Sequence, residues 1–419
     1  MSDLHDGGPI PFDVPGWAIG DALELARQLP DDSIDCIVTS PPYWGLRSYL
    51  PDDHPDKARE MGAEPTLAEY VDGMVGLFRE LRRALKPGGT CWLNLGDSYS
   101  GGGAAIRTSH PQQSRNGAQG VVGPRDKRPS ASRANGARFI DYADLKPKDL
   151  YLVPYRVALA LQSDGWWLRD NIVWHKPNPM PASVTDRCTS AHEAVFLLTK
   201  SARYWFDAEA IREDAKTDDR PRSSWEDRRN IEPSRRGDPG TSGHRTTTAT
   251  LASGTGRNRR NVWTIATKPY SGSHYAVMPP ALVEPCVKAG CPAKVCRECG
   301  KGWVRVVERT PMQIPERQRN KRDGVEKTSK VNDGDRRRAM NGQEWAKTAR
   351  VKTLCWRATC DCDAGTTTGI VLDPFGGSGT VAEVAESLGR RWLMFDLDER
   401  NVELMKKRTA QRSLLGLFG

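Results

Sequence analysis

Gly369–Thr380 reads GIVLDPFGGSGT. Ile370, Val371 and Leu372 form an apolar, β-branched run too short for a helix, which predicts a strand buried on both faces. The strand ends at Asp373, and the chain then opens through Gly376, Gly377 and Gly379 into a helix beginning near Thr380. Glycines let backbone approach a ligand closely and take positive φ, and the first turn of a helix offers amides without intrahelical partners. Alone, such a loop is equally a plain turn. The following stretch RRWLMFDLDE adds a second signal: Asp396 falls near a strand end one strand–helix–strand unit later, where the acid that binds ribose hydroxyls stands in dinucleotide folds. The glycine spacing departs from G-x-G-x-x-G and no Walker lysine follows, so the expected ligand is an adenosine-bearing cofactor other than a nicotinamide dinucleotide or ATP.

The same grammar runs upstream. In IDCIVTSPPYW, Ile34–Trp44, residues Cys36, Ile37 and Val38 read as a buried strand, and TSPPYW as the loop at its carboxyl end. Ligands bind at that end in open α/β sheets. A helix is expected from Leu67 to Leu85, with Val71, Met74, Val75, Phe78 and Leu81 on its apolar face; Lys86–Gly89 stop it, and TCWLNLGD reads as the next strand. PYRVALALQSDG reads as a helix with Pro154 in its first turn and Gly165 at its end, followed by strand-like WWLRDNIVWHKPNPMP and EAVFLLTK. Tyr275–Gly290 is helix-like, as are VAEVAESLG and the charged carboxyl-terminal segment. The fold class is therefore α/β, a doubly wound, Rossmann-like parallel sheet. Three polar stretches, Tyr99–Lys146, Asp207–Asn261 and Met312–Thr353, lack the apolar residues to form cores and read as loops, insertions or arms that fold on binding.

Lys and Arg outnumber Asp and Glu by 62 to 53 among 419 residues, a net charge of +9 with pI near 9.0. This favours a polyanionic partner, a merely soluble basic enzyme being the plainer alternative. The start MSDLHDGGPIPFDV has no secretory pattern and no apolar run reaches the ~18 residues of a membrane span. A soluble, cytoplasmic protein without a membrane partner is expected. Its ten cysteines then read as thiols or metal ligands.

Four of them form compact pairs: Cys296 and Cys299 as C-x-x-C before Gly300, and Cys360 and Cys362 as C-x-C. Two such pairs close a tetrahedral zinc site and organise a small zinc-ribbon-like module otherwise lacking a core. The sixty residues between Cys299 and Cys360 exceed ordinary finger spacing, and Cys291 and Cys355 compete as ligands. Such zinc is structural, because no neighbouring His and Glu pattern supplies an open position.

DPFGGSGT resembles the motif by which DNA amino-methyltransferases bind S-adenosylmethionine, and TSPPYW resembles their catalytic motif. GDALELARQLPDDSIDCIVTSPPYW and RRNVWTIATKPYSGSHYAVMPPALVEPCVKAGCP resemble the flanking elements, and the catalytic motif preceding the cofactor motif resembles the circularly permuted β-group. The resemblance implies a permuted seven-stranded sheet. It implies cofactor contacts from Asp21, Asp373, Phe375, Gly377, Gly379, Thr380 and Asp396, Asp21 having the alternative role of helix N-cap. Catalysis falls to Ser40, Pro41, Pro42 and Tyr43: the Ser40 hydroxyl and Pro41 carbonyl accept hydrogen bonds from the target amino group, the prolines fix them, and Tyr43 stacks on a base extruded from the duplex, with Trp44 adding to that wall. Cys36 is a core residue. Ser40 after Thr39 is the form associated with cytosine N4; Asp there is more usual for adenine N6, which is the alternative target.

The implied boundaries are 1–98 and 149–206 for the catalytic half, a polar basic insertion at 99–148, a target-recognition region at 207–262, a link at 263–291, the zinc module at 292–368 and the cofactor half at 369–419. Arg228, Arg229, Arg235, Arg236, Arg259 and Arg260 are candidates for target contacts, and Arg317, Arg319, Lys321, Arg322 and Arg336–Arg338 for phosphates. DNA and a cognate restriction endonuclease are the expected partners, with monomer and dimer both open. The rivals are an RNA or protein-glutamine methyltransferase, the latter carrying Asn before the prolines, and a non-enzymatic zinc DNA-binding protein, against which intact Ser40, Tyr43, Asp373 and Gly377 argue.

Overall fold

The computed structural model describes residues 10–46, 48–100, 145–146, 148–213, 257–267, 277–309 and 351–415. By contact the chain divides into one unit of Met1–Phe206, Asn261–Gly302 and Cys362–Gly419, and a second of Asp207–Arg260 and Trp303–Asp361. The described strands are β1 (Gly16–Ile19), β2 (Ile34–Thr39), β3 (Leu85–Leu95), β4 (Trp167–His175), β5 (His192–Thr199), β6 (Val262–Thr264), β7 (Val295–Cys296), β8 (Val304–Arg309), β9 (Val351–Arg357), β10 (Thr366–Thr367), β11 (Ile370–Asp373) and β12 (Arg391–Asp396). The helices are α1 (Ala22–Gln28), α2 (Leu67–Ala84), α3 (Val153–Ser163), α4 (Pro280–Gly290), α5 (Thr380–Ser387) and α6 (Arg400–Leu415).

Eight strands of the first unit form one sheet in the order β1-β12-β11-β2-β3-β5-β4-β6. Pairing is parallel from β1 to β3 and again between β4 and β6, and antiparallel where β5 meets β3 and β4. The sheet thus has one strand more than the seven expected, with β1 and β6, four and three residues long, as its edges. Successive side chains point to opposite faces. Ile37, Leu93, Phe196, Leu372 and Leu393 pack with α1, α2 and α3 in one core; Thr90 and Trp92 point the other way, where the Thr90 hydroxyl donates to the Gly290 carbonyl of α4 at 3.2 Å. Helix α4 packs on α5, and α5 on α6.

Helix α2 forms as its periodicity predicts, burying Leu67, Tyr70, Val71, Met74, Leu77, Phe78 and Leu81. It opens with a capping box: Thr66 Oγ1 accepts from the Glu69 amide at 3.2 Å and the Glu69 carboxylate from the Thr66 amide at 3.1 Å. Strand β3 begins at Leu85 rather than at Thr90. Its ladder with β2 skips from Ile34 against Leu85 to Cys36 against Thr90, so Lys86–Gly89 bulge within the strand instead of ending it. Lys86 holds the bulge by a buried ion pair with Asp35 at 2.8 Å, whose second oxygen accepts from the Ile370 amide at 2.9 Å.

The second unit contains the antiparallel hairpin β8–β9. Arg305 lies 4.7 Å from the centre of the Trp356 ring and pairs with Asp207 at 2.7 Å. Among the described residues, no helix is long and apolar enough to cross a membrane.

Candidate active site

The loops after β1, β2, β11 and β12 surround a cavity of about 250 Å³. Asp373, Phe375, Gly377, Thr380, Asp396, Asp21, Ser40, Pro41, Pro42 and Tyr43 all line it. The Asp373 carboxylate is buried and accepts from Thr39 Oγ1 at 2.8 Å and the Phe375 amide at 3.0 Å. Burial pushes its carboxyl up to about 7, against these two hydrogen bonds, and the nearby Asp396 charge adds to the rise. Asp396 accepts from the amides of Gly377 (2.7 Å) and Asp398 (2.8 Å) and from Asn401 Nδ2 (3.0 Å), which ties the glycine loop to the start of α6. Gly379 is not among the residues that line the cavity: it takes a left-handed φ of 79°, and a Cβ there would lie 3.1 Å from Met405 Cα, so this glycine serves loop conformation and helix packing. Asp21 fills both expected places, capping α1 through the amides of Leu23 and Glu24, each at 3.0 Å, and lining the cavity.

The TSPPY loop is fixed from several sides. Tyr70 Oη donates to the Pro42 carbonyl at 3.0 Å. Tyr43 packs its ring against Gly96, where a Cβ would stand 2.5 Å from Tyr43 Cε2, and its hydroxyl donates to Glu193 Oε2 at 2.8 Å. Burial and the Glu193 charge push the Tyr43 phenol well above its usual range. Ser40 Oγ lies 3.2 Å from Tyr43 Oη and 3.4 Å from Asn94 Oδ1. Asn94 Nδ2 donates to Glu193 Oε2 at 3.2 Å and to the Ala194 carbonyl at 3.1 Å. Glu193 also pairs with Lys176, whose Nζ stands 4.4 Å from the centre of the Trp174 ring. Trp44 does not line the cavity as expected: its Nε1 donates to the Glu64 carbonyl at 2.9 Å and its ring meets the Tyr151 edge. Cys36 is buried in β2 with its thiol pushed up by burial, a core residue.

Asn94, Lys176 and Glu193 were not singled out by sequence reasoning. A signal existed: Asn94 interrupts the apolar run CWLNL and Glu193 opens the apolar strand EAVFLL, and polar side chains in buried strands require partners.

The thiols of Cys296, Cys299, Cys360 and Cys362 all lie within 4.8 Å of one another. The expected knuckle is present, with the Gly300 amide donating to the Cys296 carbonyl at 3.1 Å and the Cys296 amide to the Lys301 carbonyl at 2.9 Å. Neither competitor joins the cluster: Cys291 is buried against Pro292 and Gly369, and Cys355 is exposed on β9. Of the arginines expected to meet DNA, Arg260 pairs with Glu213 at 3.1 Å. Arg228, Arg229, Arg235, Arg236 and the basic residues from Arg317 to Arg338 lie outside the described residues.

A family model described as DNA methylase matches residues 34–294 and 363–407. All four paired cysteines fall in the interval between these two matched blocks. The chain is 38% identical over 289 residues to the type II methyltransferase M.Cfr9I of Citrobacter freundii, spanning 69% of this chain and 77% of that one. It is 40% identical over 272 residues to the type II methyltransferase M.SmaI of Serratia marcescens, spanning 65% and 74%. Among solved structures, the cytosine-N4-specific PvuII DNA methyltransferase aligns with a TM-score of 0.45 at 14% identity, covering 94% of this chain and 85% of that one.

Proposed function

This chain belongs to the DNA methylase family of N4 and N6 amino-methyltransferases, and we propose that it transfers the methyl group of S-adenosylmethionine to the exocyclic N4 amino group of cytosine in DNA. The observation that carries the choice of base is Ser40, a hydroxyl rather than a carboxylate, at the head of the proline loop on the cavity rim.

The cavity suits a cationic nucleoside cofactor: Asp21, Asp373 and Asp396 place carboxylates on its wall, and Phe375 and Leu397 supply apolar surface. When bound, S-adenosylmethionine supplies an electrophilic methyl group on a sulfonium. Asp396 and Asp21 would hold its hydroxyls and adenine edge, and the acidic wall would favour its positive charge. An exocyclic amino nitrogen is a poor nucleophile because its lone pair is delocalised into the ring. Ser40 Oγ and the Pro41 carbonyl would accept its hydrogens and leave electron density on nitrogen, with no reorganisation because the prolines and the Tyr70 bond to Pro42 hold the loop beforehand. The Tyr43 ring would stack on the extruded base, whose removal from the duplex costs roughly a few kcal/mol.

Residues 207–262 are read as the target-recognition region, and a cognate restriction endonuclease as the partner, in keeping with the type II relatives. The catalytic loop preceding the cofactor loop in the chain supports the permuted β-group arrangement. The four cysteines are read as a structural zinc site, since four sulfur ligands within 4.8 Å of one another supply a full tetrahedral set for zinc without an open position. Metal analysis of the purified protein is expected to give one zinc per chain, lost in Cys296→Ser; no zinc in the native protein would refute the site.

The reaction is tested by incubating varied DNA with labelled S-adenosylmethionine, digesting it and identifying nucleosides by mass spectrometry. Labelled N4-methylcytosine is expected. Labelled N6-methyladenine would overturn the base choice, and no label with the cofactor still bound would overturn the substrate.

A further inference from the structure

We infer that Glu193 is a positioning residue that sets the direction of hydrogen bonding through Asn94 and Tyr43, so that Ser40 meets the target amino group as an acceptor. The inference deepens the amino-methylation reading above and rests on it.

An ionised carboxylate only accepts hydrogen bonds. Glu193 forms an ion pair with Lys176 and takes hydrogens from Tyr43 Oη (2.8 Å) and Asn94 Nδ2 (3.2 Å). The Ala194 carbonyl takes Asn94 Nδ2 as well, at 3.1 Å. Two acceptors therefore decide which end of the Asn94 amide faces them, and its Oδ1 is left facing Ser40 and Tyr43, at 3.4 and 3.2 Å. The single Tyr43 hydrogen goes to the charged partner, which leaves Oη as an acceptor 3.2 Å from Ser40 Oγ. The raised phenol keeps that hydrogen in place.

Both protein groups around Ser40 Oγ are thus acceptors. The serine hydrogen turns inward to one of them, and the oxygen lone pairs remain for the cavity. A flipped Asn94 would reverse this: its NH₂ would donate to Ser40, whose own hydrogen would be free to bind the nitrogen lone pair that has to attack the methyl group. The carboxylate of Glu193, which need not touch substrate, determines which of the two arrangements exists.

The test moves the charge by one position. In the full-length protein, Glu193→Gln and Asn94→Asp are each expected to slow single-turnover methyl transfer by about tenfold to a hundredfold with unchanged cofactor affinity by calorimetry. The first change puts an amide, which can donate as well as accept, where an obligate acceptor stood; the second sets two carboxylates against each other. The double variant Asn94→Asp/Glu193→Gln restores one obligate acceptor to the pair, since the carboxylate now at position 94 accepts from Ser40, from Tyr43 and from the amide now at position 193, while the Ala194 carbonyl loses the hydrogen it took from Asn94 Nδ2. Its rate is expected to stay below wild type for that loss but to exceed either single variant by about threefold or more, a coupling that independent structural damage does not give. A double variant no faster than its singles, with unchanged denaturation midpoints, overturns the inference, as does wild-type turnover in Glu193→Gln, which decides alone if Asn94→Asp does not fold. All rates are read on whichever base the wild type labels, so label at adenine N6 would overturn the choice of cytosine and leave this test intact.

Discussion

Asp373 is buried at the end of β11 with its carboxyl pushed up to about 7 from an ordinary 3.8. At low pH the carboxyl is protonated in both the native and unfolded chains. As pH rises above 3.8 the unfolded chain ionises first, so native stability is lost until the folded carboxyl also ionises near 7, and is level beyond. Asp373→Asn keeps an oxygen for Thr39 Oγ1 and the Phe375 amide but does not titrate. Its stability relative to wild type is therefore expected to rise between pH 5 and pH 8 by an amount on the order of 3 kcal/mol, measured by urea unfolding. A constant difference across that range would show that the native carboxyl titrates normally. Asp373 was legible because it sits inside a contiguous motif, as do Ser40 and Tyr43. Glu193 meets Tyr43 from 150 residues away and Asn94 from 99, and no local pattern encodes such a meeting.

Among the elements, α4 is seated through Gly290. A Cβ there would stand 2.2 Å from Thr90 Oγ1 and 2.5 Å from Trp92 Nε1, two groups already bonded to each other at 3.1 Å in the middle of β3. Gly290→Ala has no flexible chain end to displace, so the helix has to lift from the sheet. A loss of roughly 1–3 kcal/mol is expected, read as a lowered urea midpoint with unchanged slope; an unchanged midpoint would mean that α4 shifts without cost. The helices were legible because periodic apolar faces and caps mark them, as Thr66 and Glu69 do for α2. Strands β1 and β6 carry too few residues for alternation to register, and the start of β3 was hidden by Lys86–Gly89, where a buried ion pair overrides the helix-stop chemistry of Pro and Gly. The antiparallel pairing of β5 with β3 and β4 is likewise a property of chain path rather than of composition.

At the scale of the whole molecule, the net charge of +9 is unevenly distributed along the chain. Residues 310–350 carry eleven Lys and Arg against six Asp and Glu, and so hold more than half of the excess. They connect β8 to β9, whose register sets Arg309 opposite Val351 and Glu308 opposite Lys352. Arg309 and Val351, which flank the segment, are therefore adjacent, and a two-residue Asn-Gly turn closes such a hairpin. Replacing 310–350 by Asn-Gly removes charge and changes none of the residues that line the cavity, so S-adenosylmethionine affinity is expected to be unchanged. If the segment neutralises phosphates, each lost contact lowers the slope of log affinity against log salt by about 0.9, and binding to unrelated DNA weakens in proportion. Titrations from low to physiological salt give both numbers. A reduced slope with cofactor binding intact would assign the segment to the DNA backbone, whereas an unchanged slope would make it a solvated arm and leave the phosphate contacts to the remaining basic residues.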